Sequence, residues 1–220
     1  MIKIYGSKTA AEASRVAAEV MAEVIKNKPT ATLGLATGSS PIGMYKELIG
    51  MNAAGEISFK NIKTVNLDEY VGLAADPIAE CARYDAVIAA TGGIDIQLLG
   101  IGNNGHIGFN EPDDHFTAGT NLVKLTDSTI DANSRFFASR DLVPTHALSM
   151  GIGQIMAADK VLLIALGSGK AEIVERAFFG PVTPSVPASI LQFAKDVTVV
   201  GDAAALALIA EKHPGAIIEK

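Results

Sequence analysis

His106 and Glu111 stand five residues apart in Leu99-Gly-Ile-Gly-Asn-Asn-Gly-His-Ile-Gly-Phe-Asn-Glu-Pro112, where an apolar run opens into a glycine-rich loop. An imidazole can relay protons near neutral pH, and a carboxylate beside it can orient it. Asn104, two residues before the histidine, supplies a neutral hydrogen-bonding partner. A second acid/base candidate is Asp68, in Asn66-Leu-Asp-Glu-Tyr70. A carboxylate at the end of an apolar strand can be partly desolvated, which raises its pKa and makes it a usable general base. An isolated Asp-Glu pair more often marks a solvated turn than a perturbed carboxylate. Two further segments have the makings of an anion site. Thr37-Gly38-Ser39-Ser40-Pro41 places hydroxyls and backbone N–H groups before a helical pattern, and Gly167-Ser-Gly-Lys170 does the same with a lysine. In the first of these, Ser40 could instead cap the helix with Pro41 at its first position. Arg135 offers a second cation.

Several better-known chemistries do not fit. Gly100-x-Gly102-x-x-Gly105 has the spacing of a dinucleotide fingerprint, but His106, Gly108 and Pro112 make a poor first helical turn after the third glycine. Gly167 to Lys170 lacks the spacing of a P-loop. No set of His, Cys and carboxylate has zinc-ligand spacing, so no catalytic metal is expected. The remaining loops describe a pocket with a phosphate end and a proton-transfer end, suited to a small phosphorylated metabolite.

The elements that must hold these loops alternate along the chain. Strands are predicted over 2–5, 31–36, 64–67, 96–101, 160–166 and 197–200, and helices over 10–26, 41–49, 78–90, 145–157, 170–178 and 203–212. That order implies an α/β fold, a Rossmann-like and mostly parallel sheet with helices on both faces. The 220 residues, 49% of them hydrophobic, suffice for one core, and a single domain over 1–220 is expected. A net charge of −6 argues against general affinity for nucleic acid or an anionic membrane. No apolar run is long enough to span a bilayer. The single Cys81 cannot form an internal disulfide, and the start Met-Ile-Lys-Ile-Tyr lacks signal-peptide features, so a cytoplasmic location is expected.

Five segments, in order, resemble the glucosamine-6-phosphate deaminase family: Thr37-Gly-Ser-Ser-Pro, Asn66-Leu-Asp-Glu-Tyr-Val-Gly-Leu73, Gly100 to Pro112, Ala132-Asn-Ser-Arg-Phe-Phe137 and Leu166-Gly-Ser-Gly-Lys170. The resemblance covers nearly the whole chain and points to the small non-allosteric bacterial type. It implies aldose–ketose isomerisation with deamination, from glucosamine 6-phosphate and water to fructose 6-phosphate and ammonium, with no cofactor. His106 would help open the pyranose ring, with Asn104 and Glu111 orienting it. Asp68 would move a proton from C2 to C1. Thr37, Gly38, Ser39 and Ser40, with Arg135 and Lys170, would hold the phosphate. The related 6-phosphogluconolactonases share the fold, but their Gly-His loop typically continues toward Ser-Leu-Phe-Pro, whereas this chain has Phe109-Asn-Glu-Pro112. A lactonase and a catalytically weak sugar-phosphate binder are the alternatives.

Three departures from the family pattern have consequences. Asn104 stands where some members have Asp; it can hydrogen-bond an imidazole but cannot stabilise an imidazolium by charge. Asp114, His115, Asn121 and Val123 stand where larger hexameric members carry serines and basic residues for N-acetylglucosamine 6-phosphate, so no such activation is expected. Members also have about 30 more residues between Val71-Gly-Leu73 and Ala79-Glu-Cys-Ala-Arg-Tyr84, so a segment is missing near 73–79, through a true internal deletion or because this sequence does not include it. The short stretch after Val200 resembles the smaller, often monomeric branch, which implies a monomer or small homo-oligomer.

Overall fold

The computed structural model describes residues 1–71 and 76–220. Seven parallel strands make the central sheet, in the order β10-β1-β9-β8-β5-β2-β3. They are β1 (Ile2–Ser7), β2 (Thr32–Leu35), β3 (Lys63–Asn66), β5 (Ile96–Leu99), β8 (Lys160–Ala165), β9 (Val197–Asp202) and β10 (Ile217–Glu219). A second, antiparallel sheet is ordered β4-β7-β6, from β4 (Asp68–Tyr70), β6 (Asn121–Lys124) and β7 (His146–Ser149). The helices are α1 (Ala10–Asn27), α2 (Ile42–Ala53), α3 (Pro77–Ala90), α4 (Asp127–Asn133), α5 (Ile152–Ala157), α6 (Ala171–Phe179) and α7 (Ala207–Lys212). No helix among the described residues is long and apolar enough to cross a membrane.

All six residues of β9 are buried. Side chains alternate between faces, so a strand buried at every position has both faces covered. One continuous core runs from Ile4 through Leu98, Leu162 and Val199 to Ile209. Helix starts follow local chemistry. Thr9 Oγ1 accepts from the backbone N–H of Glu12 while Glu12 accepts from that of Thr9, a reciprocal cap for α1. Asp76 accepts from the N–H groups of Ile78 and Ala79, with Pro77 at the first position of α3.

All six expected strands are present, with ends that differ by a few residues. The helix expected over 145–157 is not one element. His146–Ser149 forms β7, buried at Ala147 and Ser149 and half-buried at His146 and Leu148, before the chain turns at Met150-Gly151 into α5. Strand-like alternation over four residues is too short to outvote apolar spacing that also fits a helix; its pairing with β4 and β6 decides the matter. The expected helix over 203–212 is helical only from Ala207. β4, β6, β10 and α4 have no counterpart in the sequence reading. The expected missing segment near 73–79 falls partly outside the described residues.

The order of the strands creates a place for a ligand. From β2 the chain passes outward to β3, returns across the sheet to β5, and then proceeds the other way through β8 to β9. The loops that leave the carboxyl ends of β2 and β5 therefore diverge, and open α/β sheets bind ligands at such a reversal.

Candidate active site

At that reversal lies a cleft of about 750 Å³, a volume in the range of small-molecule sites. Thr37, Gly38, Ser39 and Ser40 line it after β2, Asp68 after β3, Asn104 and His106 after β5, and Lys170 after β8; Arg135 reaches in from beyond α4. Parallel pairing of Leu35 with Asn66 brings Thr37 beside Asp68, two residues past each strand's last pair.

The proton-transfer end is built around two carboxylates in opposite conditions. Asp68 is 8% exposed, and burial lifts its pKa from the ordinary 3.8 to about 6 against the opposing pull of Thr37 and His106. Thr37 Oγ1 donates to Asp68 Oδ1 at 2.7 Å. Its neighbour Glu69 is exposed, so the adjacent acids part company, but both lie in strand β4 and neither sits in a turn. Burial would also raise Glu111, but His106 beside it, with donors from Thr129 and Asn104, overrides this and holds it at about 2. His106 Nδ1 is 3.5 Å from Glu111 Oε2, at the outer limit of hydrogen-bond reach, and has no well-formed hydrogen bond. Asn104 makes no hydrogen bond to the imidazole. Its Nδ2 donates to Glu111 Oε2 at 2.7 Å and its Oδ1 accepts from the His106 backbone N–H at 3.2 Å, which ties loop and acid together. The loop needs Gly102, because a Cβ there would lie 2.3 Å from the His106 ring.

The other end is cationic. Lys170 Nζ donates to Asn103 Oδ1, and Arg135 Nη2 donates to Ser39 Oγ at 2.9 Å. Burial, and then the guanidinium of Arg135, pushes the Lys170 ammonium below its usual range. Two cations that disfavour one another call for an anion between them. Helix α2 starts at Ile42 with Pro41 in the cap position and no side-chain cap, so Ser40 is not spent on capping. A tilted and edge-on trio, Tyr70 with Phe109 and Phe137 at 5.5 Å each, walls the cleft.

Comparison with known proteins decides between the relatives of this fold. The family model for glucosamine-6-phosphate isomerases and 6-phosphogluconolactonase matches residues 70–200. The glucosamine-6-phosphate deaminase of Lachnoclostridium phytofermentans is 48% identical over 232 residues, covering 90% of this chain and 98% of its own. That of Clostridium perfringens is 44% identical, covering 94% and 100%. The chain belongs to the glucosamine-6-phosphate deaminase family. A solved monomeric glucosamine-6-phosphate deaminase superposes with a TM-score of 0.91 at 41% identity, over 94% of this chain and 99% of that one. A 6-phosphogluconolactonase from Trypanosoma cruzi, at 16% identity and a TM-score of 0.74 over 97% of each chain, shares the fold alone.

Within this deaminase-family cleft, nine of the ten sequence-selected residues line one surface, and Glu111 stands behind His106. The sequence reading missed the residues that hold the selected ones. Thr129 Oγ1 and, more distantly, Thr126 Oγ1 donate to Glu111 Oε1, and Asn103 receives Lys170. Thr126 also accepts from the Thr129 N–H at the start of α4, a cap pattern that was legible as Thr-Asp-Ser-Thr. Among the described residues, Asp113, Asp114 and His115 gather their ligand atoms within 4.8 Å, but they are exposed and do not line the cleft.

Proposed function

We propose that this protein converts glucosamine 6-phosphate and water to fructose 6-phosphate and ammonium, as an isomerase and deaminase that needs no metal or cofactor. The observation that carries the reading is Asp68: a buried carboxylate held near pKa 6 across a cleft from His106 and Glu111, with Lys170 and Arg135 at the far end. The names of the close relatives support the same substrate.

The phosphate sits on the backbone N–H groups of residues 37–40 and the hydroxyls of Ser39 and Ser40, with Arg135 and Lys170 as counter-charges. Its binding energy positions a small sugar for reaction. His106 passes the C1 hydroxyl proton to the ring oxygen as the pyranose opens, oriented by Glu111 and the Asn104 link. Asp68 takes the C2 proton; the C–H pair becomes the C1–C2 double bond of an enolamine as the C1 carbonyl π pair moves onto its oxygen, which takes a proton from His106 or solvent. The proton returns at C1, leaving an iminium at C2, to which water adds before ammonia leaves. A base near pKa 6 is ionised at neutral pH yet strong enough to take the proton.

The chain is a monomer on this reading, supported by its likeness to the monomeric deaminase, and acts in the cytoplasm. His115, Asn121 and Val123 line a second cavity of about 330 Å³ with Lys124, Glu111 and Asp113, a set poor in cations for a phosphate, and we infer no activation by N-acetylglucosamine 6-phosphate. We also infer an internal segment missing near 73–79. The alignment to the Lachnoclostridium protein spans 232 residues while using 90% of a chain of 220, which requires gaps on this side.

Ammonium release from glucosamine 6-phosphate, with and without EDTA, tests the function against Asp68→Asn. Activity that survives EDTA and collapses in the variant is expected. A folded protein that binds the sugar phosphate and releases no ammonium overturns the reading.

A further inference from the structure

Three hydroxyls follow β2, and they do not face the same way. Ser39 Oγ accepts from Arg135 and so belongs to the cationic end. Thr37 Oγ1 instead donates to Asp68 Oδ1 at 2.7 Å. The pairing is a product of register: Leu35 opposes Asn66, the Leu67 N–H donates to the Leu35 carbonyl at 2.8 Å, and the two chains leave the sheet side by side. Oδ2 of Asp68 makes no hydrogen bond among the described residues and is not among the polar atoms buried without a partner, so it opens into the cleft.

We propose that Thr37 is a positioning residue for the base, its hydroxyl fixing Asp68 Oδ1 so that Oδ2 alone faces the sugar, and that it takes no part in holding the phosphate through its side chain. The proposal rests on the reading of Asp68 as the C2 base. A carboxylate with one oxygen tied by a donor cannot swing both oxygens to the substrate. The proton it accepts therefore stays on the oxygen that faces C2 and C1. The Thr37 hydroxyl is also the chief hydrogen bond opposing the effect of burial on Asp68, so its removal acts on ionisation as well as orientation.

Carbon-13 NMR titration of the free protein, with Asp68 assigned through Asp68→Asn, reads the contact without any substrate. Thr37→Val is expected to raise the Asp68 midpoint by about one pH unit, while Thr37→Ser, which keeps the hydroxyl, leaves it within a few tenths. In turnover, the acid limb of kcat for Thr37→Val moves up by the same amount, so activity on that limb falls about tenfold, while KM and inhibition by inorganic phosphate stay within about twofold. An unmoved Asp68 titration with weakened phosphate inhibition overturns the proposal and returns Thr37 to the phosphate set. A shifted titration in a protein whose wild type releases no ammonium sustains the contact and overturns the proposed function instead. Thr37→Ala provides the same readouts should the valine variant fail to fold.

Discussion

Asp68 and Glu111 are held on opposite sides of the ordinary carboxylate range, and that separation fixes what each can do. Asp68 is raised, so folding penalises its charged form: the penalty is absent below about pH 3.8, grows toward pH 6 and is complete above it. Asp68→Asn should therefore abolish ammonium release and yet raise stability by about 3 kcal/mol at pH 8, a gain that vanishes near pH 3.5. Denaturant unfolding at the two pH values checks this. Glu111 is lowered, so its contribution has the opposite sign, present above about pH 4.5 and lost as pH falls toward 2. At the cationic end, Lys170→Met should raise KM by roughly ten- to a hundredfold, the worth of a charge-assisted contact. Lys170 is disfavoured as a cation by burial and by Arg135, so the variant should not lower the melting temperature without ligand, but inorganic phosphate should no longer raise it.

Helix α4 has seven residues, and its value lies in what its first turn and its exit hold. Thr126 and Thr129 bond Glu111 at one end, and Arg135 follows the helix at the other. Thr129 is buried at 3% exposure, so Thr129→Val removes the shorter of the two hydroxyl bonds to Glu111 Oε1, leaving only the longer one from Thr126, with little change in shape. We expect kcat to fall about tenfold and stability by about 1–2 kcal/mol, measured by ammonium release and denaturant melts. The loop after β5 makes a sharper case. Gly102→Ala drives a methyl into the His106 ring, and activity should fall much further than stability does, because the exposed side of the cleft gives the displaced imidazole room to move. Equal loss of both would show that the loop is a packing element first.

Among the described residues of the whole molecule there are two cores of unequal size. The continuous core of the parallel sheet contrasts with a small cluster of Phe109, Leu125, Ile130, Val143 and Ala147 beneath the antiparallel sheet. Local opening costs least where little apolar surface is buried, so amides of 121–149 should exchange hydrogen faster than those of β8 and β9. Inorganic phosphate should slow exchange over 127–137 through Arg135 and leave β8 and β9 unchanged. Intact mass bears on the segment near 73–79: the sequence gives 22.8 kDa, and an unrepresented segment would add roughly 3 kDa.

Asp68 and His106 were legible in the sequence because each lies in a segment that follows a strand, with Glu111 in the same loop as His106, and strand ends of a parallel sheet are displayed at one edge whatever the details of packing. The anion loops were legible for the same reason, as glycine and hydroxyl residues between a strand and a helix. Local periodicity sets these features, and it survives in the fold. What the sequence left undetermined depends on contacts between distant residues. The antiparallel sheet exists because β7 finds β4 and β6; its own four residues fit a helix as well. Only the folded chain decides that Asn104 bonds Glu111 and not the imidazole, that Thr129 reaches Glu111 from 18 residues away, and that Thr37 turns to Asp68. Those partners are chosen by register and burial, which no stretch of neighbouring residues encodes alone.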